Sequence, residues 1–202
     1  MNKNELELFV KKCCLNRDES HNYGHMKRVS EIACQLNDLR PDLQDKIYII
    51  AMLHDVNDHK YYCHNVNIEL DNYLKNNFDD YEMYFNTINA ISYSKELKFG
   101  HRWYQNVLSD DWLYIRDIVS DADKIEALGE IGLKRCITFE KMNYEKSHNE
   151  VLSHNKLKKI VKNHIENKIF NLENYIRTNK GKEIAKNKMI ELKIEYAKFI
   201  NS

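Results

Sequence analysis

Histidine and acidic side chains follow directly after an apolar run in AMLHDVNDHKYY, residues 51–62. The apolar residues 47–53 predict a buried helix, and His54 and Asp55 stand at its C-terminal end. A neutral imidazole and a carboxylate are good ligands for a divalent metal ion, and the carboxylate favours Mn, Mg or Fe over a thiolate-coordinated zinc. The pair also fits an ordinary polar helix end, in which His54 caps free carbonyl groups and Asp55 pairs with a lysine.

Two more histidines precede an apolar stripe in DESHNYGHMKRVSEIA, residues 18–33. His21 and His25 are four residues apart and in register with Val29, so both lie on the side of a predicted helix that faces the core. Two interpretations are open for each: a functional imidazole, or a buried histidine whose hydrogen bonds serve the structure.

Two aspartates interrupt the apolar pattern of IVSDADKIEALGEIGLKR, residues 118–135. Asp121 and Asp123 are about 200° apart around a helix, so both cannot face the same metal ion. Burying a carboxylate without a partner is costly, so at least one of them must face a cation, a hydrogen-bond donor or water. The spacing alone does not decide which.

The elements that carry these residues are all predicted to be helices. The sequence has one proline and five glycines, and its apolar residues recur at intervals of three and four. This pattern predicts an all-α protein with long C-terminal helices. A single domain is expected over 1–202, with the metal-site core at about 18–140 and a helical part at about 143–202. The predicted helices are 22–39, 42–56, 65–76, 81–94, 110–128, 130–141, 147–178 and 182–200, and 94–111 is predicted to be a long loop that covers the site.

The composition argues against several classes of protein. Lys and Arg together number 31, and Asp and Glu together also number 31. This balance of charge disfavours a protein that coats nucleic acid. The five cysteines form no CxxC pair, which indicates reduced thiols in a cytoplasmic protein. The first residues, MNKNELELFVKK, lack the apolar core of a signal peptide, and no window of 18 residues is apolar enough to cross a membrane.

The order of the motifs resembles the HD-domain metal-dependent phosphohydrolases, in particular the small bacterial YedJ/YpgQ-type subgroup. DESHNYGHMKRV resembles the pattern D-x-x-H-x-x-x-H-x-x-R-V, and AMLHDVNDHKY resembles LHD-x-x-D-x-K. VSDADKIEALGEIGLKR is close to DADRLDA-x-GA-x-GI-x-R, while INAISYS and RTNKGKEIA resemble two weaker motifs of the subgroup. The resemblance implies a single HD-domain helical bundle.

The resemblance also implies a metal site. Its four ligands would be His25, His54, Asp55 and Asp123. Asp123 is preferred to Asp121 because the ligand in the family directly precedes the basic residue, here Lys124. Asp121 stays as the alternative, or as a group that positions a ligand. The implied cofactor is one divalent metal ion, with Mn preferred and Mg, Co, Fe or Ni as alternatives.

Further residues are expected to handle the substrate. Asp58, one helical turn beyond His54, is well spaced to transfer a proton, and Lys60 to bind a phosphate group. His59 would be the first residue to examine for a second metal ion. Substrate contacts are predicted for Lys124, His21, Lys95, Arg28 and Arg135. The last three fit equally well as solvated or ion-paired surface groups.

The activity that the resemblance implies is hydrolysis of (deoxy)nucleoside triphosphates to a monophosphate and pyrophosphate by a metal-activated water. One alternative is a 5′-phosphatase for nucleoside monophosphates, which would release inorganic phosphate. Another is a nucleotide-binding sensor or sequestering module of low turnover. The expected partner is therefore a small nucleotide, with no nucleic acid coating and no membrane, and a homodimer stays open.

Overall fold

The structure is a computed structural model that describes residues 2–15, 17–18, 21–57 and 64–202. Within these ranges the chain forms ten α-helices and short 3-10 segments, and it contains no β-strand. The prediction of an all-α protein is therefore confirmed. Two compact units are distinguished, Met1–Ala122 and Asp123–Ser202, and the expectation of a single domain stays a prediction.

The first unit contains three of the four residues of the predicted metal site, His25, His54 and Asp55. Helix α7 spans the boundary between the units, because its last residues follow Ala122. The helices are α1 (Lys3–Cys13), α2 (Tyr23–Leu36), α3 (Gln44–Leu53), α4 (His64–Asn77), α5 (Tyr81–Ile91), α6 (Tyr93–Phe99) and α7 (Asp110–Glu126), with 3-10 segments at Pro41–Leu43 and Trp103–Asn106.

Helix α3 is the centre of the first unit. All seven residues from Ile47 to Leu53 are buried, so this part of the helix has no solvent-facing side, as its continuous apolar sequence predicts. Helix α2 packs against it most extensively, and α1 and α5 also contact it. The packing of these helices consequently fixes the C-terminal end of α3, and His54 is the first residue after it.

A polar cluster around Glu7 joins α1, α2 and α3. The Glu7 carboxylate accepts hydrogen bonds from Tyr23 Oη at 2.7 Å, Lys27 Nζ at 2.8 Å and Tyr48 Oη at 2.8 Å. The hydrogen bond from Lys27, followed by those from the two tyrosines, lowers the pKa of Glu7 to about 2, against the opposing effect of burial. This cluster holds α1 against the helix that carries His25.

The prediction of a long loop at 94–111 is wrong. Residues 93–99 form α6, with Ser92 as its N-cap, and a 3-10 segment follows at Trp103–Asn106. Arg116 of α7 is completely buried and anchors this segment, because its guanidinium donates to Glu96 at 3.1 Å and to Tyr104 Oη at 2.7 Å. An arginine ordinarily marks a surface position, so the sequence pattern gave no indication of this anchor.

The second unit contains α8 (Gly129–His148), α9 (His154–Asn167), a 3-10 segment at Ile169–Tyr175 and α10 (Asn179–Asn201). The predicted helix 147–178 is wrong, because α8 continues to His148 and then stops. Asn149 ends α8 in the left-handed conformation with φ 52°, which asparagine tolerates better than most residues. The chain then begins α9 after Ser153.

The sequence prediction also misses one helix, and it places the end of another three residues too late. Helix α1 was not predicted, and it begins with Asn2, whose side chain accepts from Asn4 N at 3.1 Å and donates to Glu5 at 3.0 Å. Helix α2 ends at Leu36 and not at 39, because the side chain of Asn37 donates to the Arg40 carbonyl at 2.8 Å and stabilises a turn. None of the helices in the described ranges is both long enough and apolar enough to span a bilayer.

The Glu7 cluster predicts a specific dependence of stability on pH. The pKa of Glu7 is about 2 in the folded chain and 4.5 as its reference value, so its contribution is complete above pH 4.5 and is lost as pH falls towards 2. We expect Glu7→Gln to lower the free energy of unfolding by about 2 kcal/mol near neutral pH, with the difference from the parent vanishing towards pH 2. Urea unfolding at several pH values measures this.

The matched control is Glu5→Gln, which alters an exposed carboxylate in the first turn of the same helix. Its curve of stability against pH is expected to follow that of the parent. A Glu7→Gln protein with the same curve as Glu5→Gln would show that the cluster does not stabilise the fold.

Candidate metal centre

His25 lies in the first turn of α2, where the helix start determines its position. Asn22 is the N-cap, and its side chain accepts a hydrogen bond from the backbone N of His25 at 3.2 Å. Met26 and Val29 on the same helix are completely buried, so α2 presents this face to the core. The His25 side chain is itself buried, at 3% exposure.

His54 directly follows the last residue of α3, and the helix determines which of its ring nitrogens carries the proton. Nδ1 lies 2.7 Å from the carbonyl oxygen of Ala51. A carbonyl oxygen can only accept, so Nδ1 carries the hydrogen and the neutral ring has its lone pair on Nε2. That nitrogen lies 3.8 Å from Asp55 Oδ1. His54 therefore also caps the helix, as the alternative interpretation predicts, because its Nδ1 donates to the Ala51 carbonyl.

The three side chains His25, His54 and Asp55 converge. Their donor atoms all lie within 4.8 Å of one another, and His25 Nε2 lies 3.6 Å from Asp55 Oδ2. The two imidazole rings meet edge to face, with centroids 5.2 Å apart. Ligands about 2.1 Å from one ion are about 3 Å apart when adjacent and about 4 Å apart when opposite. The spacing and the chemistry of this donor set fit a divalent metal ion.

Charge around Asp55 favours its ionised form. Burial by itself opposes ionisation, but the positive charge that His54 and His25 carry when protonated, together with a hydrogen bond from His25, outweighs it, so the pKa of the Asp55 carboxyl lies well below its usual range. A carboxylate must be deprotonated to bind a metal ion. The polarity of the site therefore holds Asp55 in the state that a ligand requires.

His21 lies next to this group, with its ring centroid 6.4 Å from that of His25. Its side chain is buried, and Nδ1 lies 3.2 Å from Asp18 Oδ1 and 3.3 Å from Oδ2. The backbone N of His21 also donates to the Asp18 carbonyl at 3.0 Å. Asp18 thus fixes the orientation of the His21 ring beside the three converging side chains.

Sequence reasoning did not identify Arg17. Its guanidinium donates from Nη1 to the carbonyl oxygen of Asp55 at 2.7 Å and from Nη2 to that of Val56 at 2.6 Å. Arg17 precedes α2 and belongs to no apolar pattern. Its acceptors are main-chain carbonyl oxygens, which every residue has, so the sequence does not mark them as partners. The only available signal was a basic residue directly before the D-x-x-H motif.

The aspartates of α7 differ in their exposure. Asp121 belongs to the first unit and is completely buried, whereas Asp123 belongs to the second unit and is partly exposed. Lys124 is buried. The assignment of Asp123 as a fourth ligand, with Asp121 as the alternative, stays a prediction.

Three other residues that are predicted to contact the substrate, Lys95, Arg135 and Arg28, contact neighbouring residues of the chain. Lys95 Nζ donates to Asn89 Oδ1 at 2.8 Å, and Arg135 forms an ion pair with the buried Glu126. Arg28 on α2 is partly buried and lies over Gly24. These contacts hold the three side chains in place, and their predicted roles in substrate binding stay predictions. Asp58, His59 and Lys60 lie outside the described residues, so their predicted roles stay predictions as well.

No protein-family model and no curated protein sequence matches the chain. Solved structures of low sequence identity nevertheless match nearly all of it. A protein from Lactobacillus plantarum is 19% identical with a TM-score of 0.73, and the match covers 97% of this chain and 93% of that one. Bacillus subtilis YpgQ, solved in complex with ADP, is 18% identical with a TM-score of 0.68, covering 98% and 94%.

An HD-superfamily hydrolase from Bacillus thuringiensis matches in the same way. It is 20% identical with a TM-score of 0.60, and the match covers 98% of this chain and 94% of that one. The likeness extends over almost the full length of each protein, and it confirms the fold implied by the sequence motifs. This chain therefore has the fold of YpgQ and of an HD-superfamily hydrolase.

Proposed function

We propose that this protein is a metal-dependent phosphohydrolase that acts on a small nucleotide. The observation that carries the proposal is the convergence of His25, His54 and Asp55, with the lone pair of His54 on the nitrogen that faces Asp55. The chain that presents this donor set also has the fold of an HD-superfamily hydrolase.

The proposed metal ligands are the three converging side chains together with Asp123, and Mn²⁺ is the proposed ion. A divalent ion held there would activate water and neutralise the charge of a phosphate group. His21 is proposed to face a phosphate oxygen with Nε2, because Asp18 holds its Nδ1. Asp58 is proposed to accept or donate the proton, and Lys60 to neutralise phosphate charge.

The proposed substrate is a nucleoside triphosphate, cleaved to a monophosphate and pyrophosphate. Two observations support a nucleotide: the sequence motifs resemble those of the YedJ/YpgQ-type subgroup, and YpgQ, which shares the fold, was solved in complex with ADP. A monophosphate 5′-phosphatase is the competing activity, and the products distinguish the two. The presence of Asp58 favours an enzyme over a binding module, because a site that had lost catalysis would have little need of an acid or base beside the ligands.

The proposed compartment is the cytoplasm. Among the described residues, Cys13, Cys14, Cys34 and Cys136 are free thiols. Burial raises the pKa of Cys13 and Cys136 to about 12 and that of Cys14 to about 11, which disfavours the reactive thiolate form. Reduced, buried cysteines agree with a reducing environment.

The reaction is tested with purified protein, Mn²⁺, Mg²⁺ or Co²⁺, and a panel of nucleoside mono- and triphosphates. We expect triphosphates to be hydrolysed with release of pyrophosphate, detected directly by chromatography and ³¹P NMR. Release of inorganic phosphate from monophosphates would instead establish the phosphatase. Tight binding of one nucleotide without turnover of any would contradict both and favour the binding module.

The ligand assignment is tested by His54→Ala. Loss of one imidazole from the donor set is expected to weaken Mn²⁺ binding at least tenfold, as measured from the EPR signal of free Mn²⁺ during titration. His154→Ala is the matched control, since His154 is an exposed residue at the start of α9. Parent-like affinity in His54→Ala would show that the assignment is wrong.

The choice between the two aspartates of α7 is tested by Asp123→Asn and Asp121→Asn, each of which serves as the control for the other. We expect Asp123→Asn to lower Mn²⁺ affinity more strongly, because it would remove a ligand charge. Asp121→Asn is expected to lower chiefly the melting temperature, because Asp121 is completely buried. The reverse order of Mn²⁺ affinities would make Asp121 the ligand.

A further inference from the structure

The turn that carries Asp55 extends beyond the hydrogen bonds of α3. The helix ends at Leu53, and residues 54–57 form turns, in which Val56 N donates to the Leu53 carbonyl at 3.1 Å. The carbonyl groups at the end of a helix need donors from outside it. For Asp55 and Val56 that donor is Arg17, at 2.7 and 2.6 Å.

These two bonds hold the turn that carries the metal-binding residue. The peptide group is planar, so holding the carbonyl oxygen of Asp55 fixes the plane between residues 55 and 56. The second bond fixes the next plane in the same way. The first plane adjoins the Cα of Asp55 and limits its ψ angle, and the two planes together fix the backbone of Val56. The turn that carries the Asp55 carboxylate is thus held from its C-terminal side.

Arg17 can do this because it is held in place. Its backbone N donates to the Cys14 carbonyl at 3.2 Å, which ties it to the end of α1. Asp18, the next residue, holds His21 through both its main chain and its side chain. The dipeptide Arg17-Asp18 therefore supports two regions at once: the turn after α3 and the histidine before α2.

The residue type matters for this geometry. A guanidinium presents its N–H groups in a rigid planar fork, so one side chain donates to two neighbouring acceptors at short distance. A lysine ammonium is a single centre on a flexible stem, and it would reach both oxygens less well. Methionine has a similar length and no donor.

We infer that Arg17 is a positioning residue, which holds the His54-Asp55 turn in the geometry that binds the metal ion. This inference rests on the proposed metal site but not on the identity of the substrate. Groups that orient metal ligands typically contribute ten- to hundredfold to metal affinity. A role confined to general folding would instead alter the melting temperature and leave the affinity unchanged.

The test compares Arg17→Met, Arg17→Lys and Arg40→Met in the metal-free protein. Arg40 is the matched control because it is also an arginine of the first unit, paired with Asp42 and Asp111 away from the turn. We expect Arg17→Met to weaken Mn²⁺ binding ten- to hundredfold by EPR titration, Arg17→Lys to lie between it and the parent, and Arg40→Met to bind as the parent does. Melting temperatures are measured alongside.

Parent-like Mn²⁺ affinity in Arg17→Met would overturn the inference, as would equal losses in Arg17→Met and Arg40→Met. If Arg17→Met does not fold, Arg17→Lys decides: weakened binding supports the inference, and parent-like binding overturns it. A parent protein that binds none of Mn²⁺, Co²⁺ or Mg²⁺ also overturns it. A parent that binds Mn²⁺ but turns over no nucleotide contradicts the proposed function alone, since Arg17 is judged by metal affinity.

Discussion

One hydrogen bond, from His54 Nδ1 to the Ala51 carbonyl, determines what the candidate site can bind. It uses the proton of the neutral ring and leaves the lone pair on Nε2, on the side of Asp55. With the opposite tautomer, Nε2 would carry the hydrogen and could donate to the Asp55 carboxylate, which would give a closed pair without a place for a metal ion. The buried end of α3 thus leaves the lone pair on the nitrogen that faces Asp55, through a bond to its own main chain.

The burial of α3 holds the end of the helix, and with it the His54 ring, in a fixed position. Because every residue from Ile47 to Leu53 is buried, the helix end cannot move without disturbing the core. The Glu7 cluster fixes α1 to α2 and α3 on one side, and Arg17, after α1, reaches the turn that follows α3. Preorganised ligands need such support, since a site is only as precise as the elements that carry it.

The sequence predicted the parts of this arrangement that depend on periodicity or motif. The helical fold and the burial of α3 follow from periodicity, and the grouping of His25, His54 and Asp55 is what the resemblance to the HD-domain phosphohydrolases implies. Arg17 and Arg116 could not be predicted in this way, because each bonds partners that are distant in sequence and charged residues ordinarily mark the surface. Helix α8 ends before Asn149 because that residue adopts the left-handed backbone conformation. The amphipathic pattern of the surrounding sequence does not indicate this conformation.

The geometry of the site also depends on the groups that support it. A lone pair on His54 Nε2 and a carboxylate oxygen of Asp55, at 3.8 Å, do not attract each other unless a cation lies between them. Without further restraint, either residue could turn away from the other. The bond from His54 Nδ1 to the Ala51 carbonyl prevents the ring from turning, and the bonds from Arg17 hold the turn that follows Asp55. The fold therefore keeps this nitrogen and this carboxylate close together, so that a cation bound between them would be attracted by both.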